Sequence, residues 1–345
     1  MILSNASPYV SIVIPCRNER KHIETCLQGI LAQTEPPGGL EVVIADGMSD
    51  DGTREIILQI AEGNPRVRLI DNLQRITPVG LNVAIRASRG QVIVRMDAHT
   101  EYASDYVQRC VETLQQTGAD NVGGPARTKA DNYLQRAISA AYHSRFSTGG
   151  APFHRPSYEG EVDSVTYGCW QKDKLLEIGL FDEELVRNQD DELNFRIKRF
   201  GGRLWQSPSI RSWYRPRASL VSLFKQYMQY GYWKVRVMQK HGRPASLRHV
   251  VPVIFVFGLA FGWLAGLLFT LLYAAYFASV AIYVFVSIVF SIRAASIAGW
   301  DLLPILPIVF LIYHVSYGIG NVTGFVDFFV LRPNCRQMMS GLSRP

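Results

Sequence analysis

Between Val250 and Ile292 the chain carries no charged residue for 43 consecutive positions. As one helix this run would be roughly 65 Å long at about 1.5 Å per residue. The hydrocarbon core of a bilayer is about 30 Å thick, so the run is expected to cross twice, over 250–271 and 274–292. A third apolar run covers 302–326, interrupted by His314 and Asn321, with Pro304 and Pro307 near its start. Three crossings would put the tail, 331–345 with Arg332, Arg336 and Arg344, opposite the N-terminal domain, which the positive-inside tendency disfavours. A re-entrant or kinked third run is the alternative. Residues 1–249 hold 32 Lys+Arg and 27 Asp+Glu, the composition of a soluble domain. The opening MILSNASPYVSIVIP has no basic n-region, so no signal peptide is expected. The five cysteines (Cys16, Cys26, Cys110, Cys169, Cys335) are scattered, which argues against a disulfide framework or a structural zinc and fits a reducing compartment.

Upstream of the apolar run, short β-branched stretches alternate with helical patterns. Strands are expected at 10–15 (VSIVIP), 41–45 (EVVIA), 66–70 (RVRLI) and 91–96 (QVIVRM). Helices are expected at 22–33, 53–62 and 78–88, with Pro78 in a first turn. Continuous apolar strands are buried on both faces, as in a parallel sheet. The alternation therefore implies an α/β, doubly wound, mostly parallel sheet followed by C-terminal transmembrane helices. Ligands of such sheets sit beyond the C-terminal strand ends, where Pro15–Glu19, Asp46 and Asp97–His99 stand. Farther on, helices are expected at 131–146, 172–178 and 190–200, and a short strand at 203–207. The Gly-, Pro- and Ser-rich loop at 147–160 is long enough to face a substrate.

Residues 218–240 have helical periodicity, with Leu220, Phe224, Tyr227, Met228, Gly231, Val235 and Met238 on one face and Lys225, Gln229, Tyr232, Arg236 and Lys240 opposite. From Leu193 to His249 there are 13 Lys/Arg and no acidic residue. Directly before an apolar run, this reads as an interfacial helix over anionic headgroups, with 216–249 as its region. A nucleic-acid role is not expected, because the +7 net charge is concentrated beside the membrane segment.

Several constellations can carry chemistry. Asp97-Ala98-His99 closes a strand with a carboxylate and an imidazole on one side, a pair suited to a divalent cation such as Mn²⁺ or Mg²⁺ bridging a diphosphate. A helix-capping Asp beside a surface His is the plainer reading. Glu19 and Asp46 at neighbouring strand ends can accept from a base and from ribose hydroxyls, although Asp46-Gly47 is also a turn dipeptide. Gln189-Asp190-Asp191-Glu192 places adjacent carboxylates where one raises another's proton affinity, which suits a general base; a solvated helix N-terminus would look the same.

Taken together, V-S-I-V-I-P-C-R-N-E (10–19), E-V-V-I-A-D-G-M-S-D-D-G-T (41–53), G-L-N-V-A-I (80–85), R-M-D-A-H (95–99) and Q-D-D-E-L-N-F-R-I-K-R-F-G-G (189–202) resemble the family 2 glycosyltransferases. The resemblance covers roughly 8–207 and is nearest to the membrane-anchored branch that includes exopolysaccharide glucosyltransferases of the succinoglycan type. It implies a GT-A domain over 1–215 and transmembrane helices within 250–330. It implies inverting transfer from a nucleotide-diphosphate sugar. Pro15, Asn18 and Glu19 would shape the uridine pocket, Asp46 would bind uracil, and Asn82 would lie near the ribose and diphosphate. Asp97 and His99 stand where the family has its D-x-D, and Asp190 matches the catalytic base. The sequence departs from the family at Gly47, at His99, and at Gln189, which leaves Asp191 as an alternative base. Gln229-Tyr230-Gly231-Tyr232-Trp233 resembles the Q-x-x-R-W of processive synthases with Tyr232 in place of the Arg. Trp233 would stack on an acceptor sugar or anchor at the membrane interface, with Gln229 and Arg236 beside it.

The expected function is transfer of a hexose from a nucleotide-diphosphate sugar, taken as UDP-glucose, to a polyprenyl-diphosphate-linked sugar in exopolysaccharide or envelope glycan assembly. The enzyme would be multi-pass in the cell membrane with its catalytic domain in the cytoplasm. The alternatives are a processive polysaccharide synthase and a non-catalytic membrane scaffold. A dinucleotide-binding oxidoreductase is not expected, because no G-x-G-x-x-G follows the first strand.

Overall fold

The computed structural model describes residues 9–242, 251–267 and 270–331. The tail expected at 331–345 and the stretch 243–249 therefore lie outside the described residues, apart from Leu331. The chain divides into two compact units: residues 1–128 with 152–214, and residues 129–151 with 215–345. The expected domain over 1–215 is thus not continuous, because the segment 129–151 belongs with the C-terminal helices.

In the first unit, β1 (Val10–Cys16), α1 (Ile23–Leu31), β2 (Leu40–Asp46), α2 (Thr53–Gly63), β3 (Val67–Asp71), α3 (Thr77–Ala87) and β4 (Val92–Arg95) follow the expected alternation. Beyond them come β5 (Glu101–Tyr102), α4 (Tyr106–Thr117) and β6 (Asn121–Gly124). In the second unit, α5 (Tyr133–Tyr142) and α6 (Arg145–Thr148) replace the single helix expected over 131–146. The chain then returns to the first unit through β7 (Gly160–Glu161), β8 (Thr166–Gln171), α7 (Lys172–Ile178), α8 (Gln189–Arg199), β9 (Leu204–Gln206) and β10 (Ser212–Trp213).

The main sheet has the order β3-β2-β1-β4-β8-β6-β9-β7. Strands β3, β2, β1 and β4 are parallel, with Val10 beside both Leu40 and Val92. The sheet becomes mixed where β8 pairs antiparallel with β4 and β6. Side chains alternate across it, as strand geometry requires. Val10, Ile12 and Ile14 join one buried cluster with Leu27, Ile57 and Tyr106. Val13, Val43 and Ala45 join another with Leu81, Ile85 and Leu193. Helices cover both faces, and the strand order reverses between β1 and β4. The C-terminal ends of those two strands form the switch point at which such sheets place their ligands.

In the second unit, α9 (Leu220–His241), α10 (Val251–Gly266) and α11 (Thr270–Ala298) pack on α12 (Leu306–Phe325), and α5 packs on α11 and α12. Helix α11, and α12 with its continuation to Leu331, are long and apolar enough to cross a membrane; the apolar part of α10 is shorter. Ile254, Leu271, Phe285 and Ile297 are widely exposed, as a lipid-facing surface requires. Helix α11 continues past Arg293 to Ala298, beyond the end near 292 expected from charge alone. Helix α9, expected as an interfacial helix, is packed on α12 more closely than its periodicity implied. Tyr232, placed by periodicity on its polar face, is fully buried, and Lys234 is nearly so. The cause is backbone contact with α12: a Cβ on Gly320 would meet the Met228 carbonyl oxygen at 2.0 Å, and one on Gly231 would meet that of Tyr317 at 2.1 Å. Only glycine permits helices to approach this closely.

Candidate active site

Strand β4 ends at Arg95 and is followed by Met96-Asp97. Arg95 has 5% of its side-chain surface exposed and is engaged from two directions. Its Nε donates to Asp97 Oδ1 at 2.9 Å and its Nη2 to Asp97 Oδ2 at 3.2 Å. Its Nη1 donates to Asp190 Oδ1 in the first turn of α8. One guanidinium thus joins carboxylates 93 positions apart in the sequence. Burial opposes the charge on Arg95, but Asp190 and Asp97 outweigh it and raise its pKa above the ordinary value.

Asp190 is 38% exposed at its side chain. Burial raises its pKa above the usual carboxylate value, Arg95 opposes the rise, and Asp97 and Asp191 add to it. The neighbours of Asp190 point elsewhere. Asp191 Oδ1 accepts from Ser164 Oγ at 3.4 Å, and Glu192 is buried in a bidentate pair with Arg196 at 2.7 and 2.8 Å.

Across the switch point, Glu19 Oε1 lies 3.2 Å from His99 Nδ1. Both side chains are partly exposed. The Asp97 N–H donates to Tyr102 Oη at 2.6 Å, and the Thr100 and Tyr167 hydroxyls share a bond of 2.6 Å behind it. Among the described residues no group of three or more His, Cys, Asp or Glu is gathered as a metal site. Asp97 and His99 supply one carboxylate and one imidazole. Those donor types suit a divalent cation whose remaining ligands come from a diphosphate, but both Asp97 oxygens are bonded to Arg95 and His99 Nδ1 lies against Glu19, so the pair is not arranged around a shared point in this conformation.

Other expected residues are engaged differently. Asn82 is buried in α3; its Nδ2 donates to the Phe181 carbonyl at 2.8 Å and to Glu183 Oε1 at 2.9 Å, and its Oδ1 accepts from the Phe181 N–H at 3.0 Å. With its amide fully paired, Asn82 is a strut between α3 and the 181–183 loop rather than a group open to ribose or diphosphate. The Asp46 carboxylate has no exposed surface; it accepts from Arg54 Nη1 at 2.9 Å and from the Ser49 N–H at 3.0 Å, so it is closed to a uracil ring in this conformation. Asn18 adopts a left-handed conformation (φ 53°); its Nδ2 donates to Asp50 Oδ1 at 3.0 Å and its Oδ1 accepts from the Asp50 backbone N–H at 3.1 Å, which pins the loop after β1 to the loop after β2. Pro15 is half-buried within β1, beside Ala45.

The expected acceptor residues all lie on α9, in the second unit. Trp233 is fully buried and packs on Tyr232 and Phe328, so its ring is closed to a stacking sugar. Gln229 is half-buried, and the Arg236 guanidinium bonds Gln239 and lies 5.4 Å over the Phe328 ring. Arg95 is a site residue that the sequence reading missed. The available signal was a charge near the end of a strand expected to be buried on both faces, which must find a partner.

The chain is similar to known proteins in family and in fold. The family described as Glycosyl transferase family 2 matches residues 11–169. The chain is 36% identical over 259 residues to the succinoglycan biosynthesis protein ExoA of Rhizobium meliloti (strain 1021), covering 74% of this chain and 78% of that protein. It is 27% identical over 320 residues to the dolichyl N-acetyl-alpha-D-glucosaminyl phosphate 3-beta-D-2,3-diacetamido-2,3-dideoxy-beta-D-glucuronosyltransferase of Methanococcus voltae, covering 90% of this chain and 95% of that one. In fold it is similar to the mannosyltransferase PcManGT from Pyrobaculum calidifontis in complex with GDP-Man and Mn²⁺. The TM-score is 0.58 at 21% identity, over 92% of this chain and 88% of that one.

Proposed function

The chain belongs to glycosyl transferase family 2, and on that premise we propose that it transfers a hexose from UDP-glucose to a polyprenyl-diphosphate-linked sugar, with inversion, during exopolysaccharide assembly. The observation that carries the reading is the convergence of Asp97 and Asp190 on Arg95 at the sheet's switch point. Asp190 accepts the proton of the acceptor hydroxyl as its oxygen bonds to the anomeric carbon. The bond from that carbon to the diphosphate breaks, and the nucleoside diphosphate leaves. A carboxylate made more basic by burial is suited to this task. Asp191 faces Ser164 and is the weaker candidate for base. Asp97 and His99 would hold the divalent cation, which would neutralise charge on the leaving diphosphate. Pro15, Asn18 and Glu19 border the nucleotide side.

A lipid-linked acceptor is supported by the membrane-length helices and by the dolichyl-linked sugar phosphate for which the Methanococcus voltae relative is named. The excess of Lys and Arg just before the apolar run supports a cytoplasmic catalytic unit in the cell membrane. The test is a donor screen with the purified full chain, using UDP-glucose, UDP-galactose, UDP-N-acetylglucosamine and GDP-mannose, with and without Mn²⁺. UDP-glucose turnover that needs the cation is expected. Asp190→Asn should lower kcat by about 10²- to 10⁴-fold while UDP still binds, the range of a lost general base. Unchanged turnover in Asp190→Asn would remove the assigned base, and equal turnover on water-soluble sugars would remove the lipid acceptor.

A further inference from the structure

We infer that α12, although long enough to span a bilayer, does not cross it. It lies with α9 at the headgroup level of one leaflet, and only the α10–α11 hairpin enters the hydrocarbon. Helices α10 and α11 are antiparallel: Tyr276 Oη donates to the Leu259 carbonyl at 3.3 Å, and the Phe255 and Tyr283 ring centroids stand 4.4 Å apart. Whatever depth this hairpin reaches, α11 ends on the side of the membrane where α10 begins. The sequence between α9 and α10 holds Arg243 and Arg248, and that between α11 and α12 holds Asp301, so neither connection is apolar enough to lie in hydrocarbon. The end of α9 and the start of α12 are therefore on one side. Helices α9 and α12, however, run parallel. Tyr227 packs on Tyr313 with ring centroids 4.3 Å apart, Gly231 lies against the Tyr317 carbonyl, and Gln239 Nε2 donates to the Phe328 carbonyl at 2.6 Å. The end of α9 thus lies beside the far end of α12. Both ends of α12 share one side, and such a helix does not span.

Packing accounts for the apolar sequence of α12 without a crossing. Of its most apolar stretch 44% is buried, against 11% for α11, and no residue from Ile312 to Gly324 is exposed. Its first half is held by the segment 129–151, which leaves and rejoins the first unit: Tyr313 Oη donates to the Ile138 carbonyl at 3.3 Å, and His314 Nε2 to the Phe146 carbonyl at 2.8 Å. A crossing α12 would draw Lys234 and Arg236 of α9 into hydrocarbon with it. At the headgroup level the exposed Lys225 and Lys240 meet anionic lipid, while the exposed Phe325, Phe329 and Leu331 reach the acyl boundary. The tail with Arg332, Arg336 and Arg344 then leaves α12 on the side that holds the first unit, as the positive-inside tendency favours.

Labelling of the full chain with a membrane-impermeant maleimide, in sealed vesicles of both orientations, tests this. Cys335 in the tail is the probe, because Cys16, Cys26, Cys110 and Cys169 are buried. Glu62→Cys, at an exposed position of α2, marks the side of the first unit. Cys335 and Glu62→Cys should label in vesicles of the same orientation, and Cys335→Ser should lose the tail signal. Should Cys335 be shielded in both orientations, a protease-cleavable tag after Pro345 reads the same sides, and it should be cut only in vesicles where Glu62→Cys is labelled. Labelling of Cys335, or cleavage of the tag, in vesicles of the opposite orientation would show that α12 crosses and overturn the assignment. Sugar transfer enters neither readout, so that failure would leave the proposed reaction standing.

Discussion

A guanidinium with 5% of its surface exposed is tolerated at the end of an apolar strand because Asp97 and Asp190 share its charge. The same contact sets the chemistry of Asp190. Burial, Asp97 and Asp191 raise its pKa, and Arg95 is the influence that lowers it. In Arg95→Met, Asp190 should therefore hold its proton to higher pH, and the acid limb of kcat/KM should move upward. Arg95→Lys should move it less. A pH–rate profile decides this, and an unmoved limb in Arg95→Met would separate Arg95 from the base. Asp97 and Asp190 were legible in the sequence because their motifs stand at a strand end and a helix start. The engagement of Asn82 was not, since spacing brings an amide near a site but does not show whether its donors and acceptor are already taken.

Strands β1 to β4 were legible because an uninterrupted β-branched run has few other ways to bury itself. Strands β6 and β8 were not: Asn121-Val122-Gly123-Gly124 has a single strand-former, and Thr166–Gln171 carries a glycine at its centre. Within β2, Glu41 is buried and accepts from Ser11 Oγ at 2.8 Å, from Arg68 Nη1 at 3.0 Å and from the Arg89 N–H. Burial pushes its carboxyl up, but these bonds outweigh it and hold its pKa below the ordinary value. The stabilisation is thus complete above the unfolded pKa of about 4.3 and is lost as pH falls through the lowered folded value. Glu41→Gln should cost about 1–3 kcal/mol at neutral pH and much less in acid, as thermal unfolding across pH would show. The contact of α9 with α12 gives a second prediction for an element. Gly320→Val places side-chain atoms where the Met228 carbonyl stands, and should destabilise the helix pair by about 1–3 kcal/mol or more. Faster proteolysis within α9 would report it, and protection equal to wild type would mean that the helices are not in backbone contact.

The interleaving of the two units could not be read from the sequence, because composition changes at the apolar run and gives no sign at residue 129. The fold places α5 with the membrane-length helices: Ala137, Ile138 and Ala141 are buried in one cluster with Ala294, Leu306, Val309 and Phe310. Polar contacts reinforce it, with Arg136 Nη1 2.9 Å from Asp301 Oδ2 and Gln135 Nε2 donating to the Pro216 carbonyl at 3.0 Å. A fragment ending at residue 215 would keep α5 and remove the helices that bury it. Its apolar side would then face water, so fragment 1–215 should bind hydrophobic dyes and aggregate. A second fragment, with 129–151 replaced by a short Gly/Ser linker, should be monodisperse and bind UDP. The excision is short because the Ala126 N–H donates to the Phe153 carbonyl at 2.9 Å, which holds the two ends of the segment together within the first unit. Light scattering on both fragments settles the matter: a monodisperse 1–215 whose 133–142 region stays helical and protected from exchange would return α5 to the nucleotide-sugar unit.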